Sequence, residues 1–223
     1  MSVSTLTSTA QDYLKLIWSA TEWSESPITV KELAERLGVR PASVSDAIRR
    51  LGEQGLLRHE PYAPIELTDE GRAHAVAMVR RHRLIETFLV EVLGYGWDEV
   101  HDEAERLEHA VSDELVDRID AHLGHPTRDP HGDPIPTPEG TPHRPDAVLL
   151  REAPTGAPLV VARISDADPG ILRYLAEHGV ALDTRLTVER DRGYAGIVTV
   201  RLGGDRVLDL GSVAAGAVWV APA

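Results

Sequence analysis

His101, Glu105, Glu108 and His109 fall at offsets 0, 4, 7 and 8 along the segment VHDEAERLEHAVSD, residues 100–113. On an α-helix those offsets lie along one stripe. Two imidazoles and two carboxylates make a poor seam for a core, because an ionised carboxylate loses its solvation on burial unless a cation replaces the water. The stripe therefore reads as a divalent-metal site. The chain contains no cysteine, so disulfides, thiolate nucleophiles and Cys-rich zinc sites are excluded together, and any metal must be held by oxygen and imidazole. His82 and Glu86, four residues apart in RHRLIETFL, share a second helical face. Helices meeting across a short turn can bring two such faces together.

The elements that must position these residues are legible in the apolar spacing. The long segment 68–93 is periodic, with Thr68 as its N-cap and Asp69 and Glu70 in its first turn. After the GYG break a further helix is predicted from about Asp98 to Leu123, carrying the stripe. Upstream, Tyr13, Leu14, Leu16 and Ile17 mark a helix over 9–20. Val30, Leu33, Ala34 and Leu37 mark a short one that stops at Gly38 and Val39. Pro41 then sits where a first turn tolerates proline, and Val44, Ala47, Ile48 and Leu51 continue the period to Gly55. Two short helices joined by a glycine-containing turn are a helix-turn-helix. The β-prone LLRHEPYAPIELT, turning at Pro61 to Pro64, adds a hairpin wing. The apolar stripe leaves Arg40, Ser43, Ser45, Asp46, Arg49 and Arg50 outside, suited to phosphates and base edges. Arg58 at the base of the wing is placed for the minor groove or backbone.

A net charge of −13 argues at face value against nucleic acid. The charge is uneven, however: residues 1–80 carry −2 and residues 81–223 carry −11. A local basic face remains open to the N-terminal part. Between Gly124 and Pro158 the chain is rich in Pro, Gly, His and Asp without helical or strand period, which reads as a linker. His125, His131 and His143, scattered among prolines, read as loop surface. Such a proline-rich segment could also dock on a neighbouring β module. From Leu159 five short strands and one helical excursion, DPGILRYLAEHG, fit a small β-barrel. No window approaches the roughly 18 apolar residues of a membrane span, and the N-terminus lacks a charged-then-apolar leader, so a cytoplasmic protein without a membrane partner is expected. The fold class is α+β.

These residues resemble the metal-dependent transcriptional repressors of the diphtheria toxin repressor family, in its manganese-responsive branch with a C-terminal SH3-like domain. The likeness rests on AQDYLKLIW, RHRLIETFL, VHDEAERLEHAVSDE and DPHGDPIP in that order. It implies a winged helix-turn-helix over 1–75, a helical dimerisation and metal-binding domain with the linker over 76–142, and an SH3-like domain over 143–223. It implies an activating metal site of Asp12, Glu105, Glu108 and His109, and an ancillary site of His82, Glu86 and His101. Asp166 follows the first barrel strand, where some family members complete the ancillary site. Its readings as ligand and as ordinary loop acid stand level, whereas Asp168, ahead of Pro169, reads as a helix cap. Iron-responsive members place methionine and cysteine where this chain has Asp12 and Glu105. The carboxylates suit Mn²⁺, with Fe²⁺ the alternative. One departure is Lys15, which stands where small manganese regulators of the family carry a second acid. An ammonium cannot ligate, which disfavours a paired-metal arrangement.

The expected protein is thus a homodimer on double-stranded operator DNA, with no organic substrate and no catalytic residues. Without metal, repulsion among Asp12, Glu105 and Glu108 would leave the first helix loose; metal would tie it to the metal-binding helix and fix the spacing of the winged domains. The regulated genes implied by the resemblance are those of metal uptake. Two rivals differ in class. A di-metal carboxylate enzyme would carry paired Glu-x-x-His motifs, absent here. A metal-free winged-helix regulator would treat the stripe as structural and bind DNA regardless of chelator.

Overall fold

The computed structural model describes residues 6–23, 27–60, 63–137, 139–140, 145–192, 195–204 and 206–223. Pro61 of the wing turn and His143 of the linker lie outside the described residues. The chain divides into two compact units. One comprises residues 1–82, 106–118 and 136–142, the other residues 83–105, 119–135 and 143–223.

The first unit begins with α1 (Ser8–Glu22), whose N-cap Thr7 accepts a hydrogen bond from the Ala10 amide at 3.3 Å. The helix-turn-helix is α2 (Val30–Leu37) and α3 (Pro41–Glu53). A reciprocal capping box starts α2: Thr29 Oγ1 accepts from Glu32 N at 3.2 Å, and the Glu32 carboxylate accepts from Thr29 N at 2.8 Å. Pro41 at the first position of α3 costs no hydrogen bond there. The wing is β1 (Leu57–Arg58) antiparallel to β2 (Glu66–Leu67). Tyr13, Leu14, Ile17, Leu33, Val44, Ile48, Leu51 and Val79 meet in one buried cluster that fixes α3 against α1 and the start of α4 (Asp69–Leu93). Thr68 caps α4, accepting from Gly71 N at 3.1 Å.

Gly71 is where α4 crosses the chain entering the wing. A Cβ there would stand 1.8 Å from Leu56 O, a contact no rotamer relieves because both partners are backbone. Gly71→Ala should therefore cost roughly 3 kcal/mol or more, above the usual range for overpacking. Chemical denaturation of the metal-free protein reads it.

The single helix expected from Asp98 to Leu123 is two: α5 (Val100–Glu108) and α6 (Asp113–His122). Arg81 spans the break, donating from Nη1 to Glu108 O, the last carbonyl of α5, at 3.1 Å and to Val111 O in the turn at 3.2 Å. It also pairs with Asp113. Ser112 then caps α6, accepting from Leu115 N at 3.2 Å. His109 thus lies just past the end of α5.

In the second unit, β3 (Val148–Leu149), β4 (Pro158–Ile164), β5 (Arg185–Arg192), β6 (Ile197–Leu202), β7 (Val207–Gly211) and β8 (Val218–Pro222) form one antiparallel sheet. Its order is β3-β8-β4-β5-β6-β7. Six strands replace the expected five, and among the described residues β3 and β7 remain edges rather than closing a barrel. β3 and the 3-10 turn Leu150–Glu152 fall inside the stretch read as linker. Helix α7 (Pro169–Glu177) is capped by Asp168, which accepts from Gly170 N at 2.7 Å, as expected; α8 (Ser212–Ala215) precedes β8.

The linker reading also fails over residues 127–135. The Asp129 carboxylate accepts from His131 N at 2.8 Å and Asp133 N at 2.9 Å, and Ile135 N bonds Thr127 O at 2.9 Å. Such an Asx-type turn needs no periodicity, which is why apolar spacing does not reveal it. The turn docks on β4: Ile164 N donates to His131 O at 2.8 Å and Arg163 Nε to Asp133 Oδ1 at 2.7 Å. Gly132, at φ +89°, approaches so closely that a Cβ would lie 2.2 Å from Ala162 O.

Candidate metal centre and nucleic-acid interface

The first unit gathers residues from α1, α4 and the end of α5. Asp12, Glu108 and His109 place ligand atoms within 4.8 Å of one another. His109 Nε2 stands 2.9 Å from Asp12 Oδ1 and 3.6 Å from Glu108 Oε1. Its Nδ1 donates to Gln11 Oε1 at 2.7 Å, while Gln11 Nε2 donates to Leu6 O at 3.2 Å and so fixes which way the amide faces. That bond leaves Nε2 as the lone-pair nitrogen, aimed at the carboxylates. Glu108 has no exposed surface, and both oxygens are engaged: Oε1 accepts from Lys15 Nζ at 2.5 Å, Oε2 from His82 Nδ1 at 2.6 Å. Burial alone would raise its pKa, but His82 and Lys15 hold it below the ordinary carboxylate value. The repulsion expected among these acids is accordingly offset by Lys15 and His82.

The second unit gathers Glu86 on α4, His101 and Glu105 on α5, His131 in the Asx turn and Asp166 after β4. Glu86, His131 and Asp166 place ligand atoms within 4.8 Å of one another. His101 Nδ1 lies 3.2 Å from both Glu86 Oε1 and Asp166 Oδ2, and its Nε2 lies 3.6 Å from Glu105 Oε1. His131 is 1% exposed, which overturns its reading as loop surface. Its Nε2 donates to Trp97 O at 2.6 Å, so Nδ1 faces Glu86 Oε2 at 3.7 Å, too far for a hydrogen bond. Burial works against charge on both imidazoles, yet Asp166 and Glu86 lift His101 to about 11, and Glu86 and Asp129 lift His131 to about 10. Asp166, though buried, is held below its ordinary value chiefly by its bond to His101. Asp129 is itself pushed up to about 7, by burial and then by Asp133 and Glu86. The cluster favours bound positive charge, which a divalent ion could supply in place of those protons.

A pH dependence follows. Because the folded-state pKa of His101 exceeds the ordinary 6.5, its pairing stabilises the metal-free protein fully below about pH 6.5 and is lost as pH rises toward 11. In chelator, the melting temperature should fall between pH 7 and 10, with a shallow slope because the side chain is 43% exposed. His101→Asn should reduce that slope, leaving the part due to His131.

Arg40, Ser43, Ser45, Asp46, Arg49, Arg50 and Arg58 are all exposed, as expected of a recognition helix and wing. Arg49 Nη1 reaches Glu53 Oε1 at 2.7 Å, an exposed pair easily exchanged for phosphate. Ser45 Oγ donates back to Pro41 O at 3.1 Å.

A winged helix-turn-helix with exposed arginines, in one chain with two His/carboxylate clusters, defines a metal-responsive DNA-binding regulator. Residues 5–64 match the iron-dependent repressor N-terminal DNA-binding domain, residues 68–137 the iron-dependent repressor metal-binding and dimerisation domain, and residues 148–222 the FeoA domain. The iron-dependent repressor IdeR of Mycobacterium tuberculosis (strain ATCC 25618 / H37Rv) is 36% identical over 227 residues, 96% of this chain and 97% of that protein. A manganese-dependent transcriptional repressor solved in complex with manganese is 56% identical, with a TM-score of 0.92 over 96% of this chain and 100% of that one. ScaR with bound Cd²⁺ is 32% identical, with a TM-score of 0.81 over 96% and 99%. The chain belongs to the iron-dependent, or diphtheria toxin, repressor family: transcriptional repressors that bind operator DNA and dimerise, not enzymes. Among the described residues no helix is long and apolar enough to cross a membrane.

Proposed function

We propose that this protein is a manganese-activated repressor of metal-uptake genes, acting as a cytoplasmic homodimer. The observation that carries the choice of metal is the donor set: carboxylates and imidazoles at both clusters, with no cysteine in the chain. Such hard ligands suit Mn²⁺ and give Fe²⁺ or Zn²⁺ no thiolate advantage. The likeness to a solved manganese-dependent repressor supports the same reading, while the IdeR likeness keeps Fe²⁺ as the second candidate.

In this reading Asp12, Glu108 and His109 hold the activating ion, His82 orients Glu108, and Gln11 orients His109. Glu86, His101, His131 and Asp166 hold a second ion. Glu105, which the resemblance puts in the activating set with Glu108, also has its carboxylate 3.6 Å from His101 Nε2. The proposed domains, 1–75, 76–142 and 143–223, draw support from the matched stretches 5–64, 68–137 and 148–222, the second of which starts inside the first proposed domain. Asp12 lies on α1, Glu108 ends α5 and His109 follows it, so a shared ion ties the helix beneath the reading head to the metal-binding helices. Arg49, Arg50 and Arg58 then contact phosphate or guanine as two heads meet successive major grooves. A gel shift tests it: a duplex selected from a random-sequence pool should bind with Mn²⁺ and be released by chelator. Activation by Fe²⁺ but not Mn²⁺ would replace the metal assignment.

A further inference from the structure

Glu108 is the buried hinge of the first cluster, and the group on its Oε1 is not a ligand but Lys15, on α1 three residues after Asp12 and 8% exposed in its side chain. Burying an ammonium and a carboxylate together costs both their hydration, and the pair persists because each neutralises the other, with His82 satisfying the second carboxylate oxygen. A divalent ion drawing on Glu108 therefore meets a carboxylate already compensated by a fixed cation, and an ammonium that repels the ion at short range.

We infer that Lys15 is a tethered counter-cation that neutralises Glu108 in the metal-free protein and must be displaced by the incoming ion, so that it sets the metal concentration at which the repressor loads. This rests on the reading of Asp12, Glu108 and His109 as the activating site. The unloaded site then keeps Glu108 neutralised, by an amine that cannot join Asp12 to His109. The protein avoids a bare buried carboxylate at low metal, at the expense of affinity.

The test titrates Mn²⁺ into the full chain calorimetrically, without DNA. Lys15→Met should bind the activating ion at least about tenfold more tightly than wild type, the scale of one nearby like charge. Its metal-free melting temperature should fall while its Mn²⁺-induced rise grows. Lys15→Arg, which keeps the charge, should remain near wild-type affinity. Lys15→Met binding no more tightly than wild type, or Lys15→Arg matching Lys15→Met, overturns the inference. Glu108→Gln separates the two ideas: if it leaves Mn²⁺ binding intact, the site assignment fails, whatever Lys15 does. A second measurement needs no variant. The chain has two lysines, and Lys31 is an exposed internal control. On reductive methylation, Lys15 should react several-fold faster relative to Lys31 once Mn²⁺ is bound. An unchanged ratio also overturns it.

Discussion

Asp12→Ala should abolish metal-dependent operator binding, weakening it at least about 100-fold at Mn²⁺ concentrations that saturate the wild type. Coupling between ligand and DNA is limited by how differently the ligand binds the two states, and Asp12 is the α1 carboxylate of the proposed activating set. Its side chain is 30% exposed, and the neighbouring Lys15–Glu108 and Gln11–His109 contacts do not depend on it. The metal-free variant should therefore melt close to wild type while its Mn²⁺-induced rise in melting temperature largely disappears. Loss of DNA binding with an intact melting shift would move the activating ion elsewhere.

His131→Ala should lower Mn²⁺ stoichiometry from two ions per chain to one, read by calorimetry or elemental analysis. With Nε2 committed to Trp97 O, Nδ1 is the only donor this buried ring can offer an ion. Removing it leaves Glu86 and Asp166 with the His101 imidazole alone between them, Asp129 keeping Arg83. The variant should therefore melt lower even in chelator. Operator binding should survive with a raised Mn²⁺ threshold, since the second cluster contributes no ligand from α1. Abolition of the metal response as complete as in Asp12→Ala would invert the ranking of the two sites.

The contrast between these two residues shows what the sequence carries. Asp12, Glu108 and His109 lie on or beside helices whose apolar period places them, and the stripe at residues 101–109 advertises chemistry by its cost to a core. The stripe is still not one site: Glu108 and His109 turn to α1, while His101 turns to Glu86 and Asp166, with Glu105 beside it. The break after α5 was signalled by Ser112 followed by two acids, a helix start inside an apparently continuous period. His131 gave no periodic signal, because a side-chain carboxylate two residues away, not a helix or strand ladder, folds its loop. Gln11, and the pairing of Lys15 with Glu108, gave no signal for a different reason. Orientation of an imidazole and neutralisation of a buried acid are relations across 93 or more residues of chain. The wing and recognition helix were fully legible, since local capping and apolar spacing decide them.

The central claim is that metal and DNA binding are coupled through the first cluster. Fluorescence anisotropy of the selected duplex at fixed protein, titrated with Mn²⁺ and then with chelator, measures that coupling directly. The expected result is binding that appears with Mn²⁺, vanishes with chelator, and is absent in Asp12→Ala. Equal binding with Mn²⁺ and with chelator would contradict it.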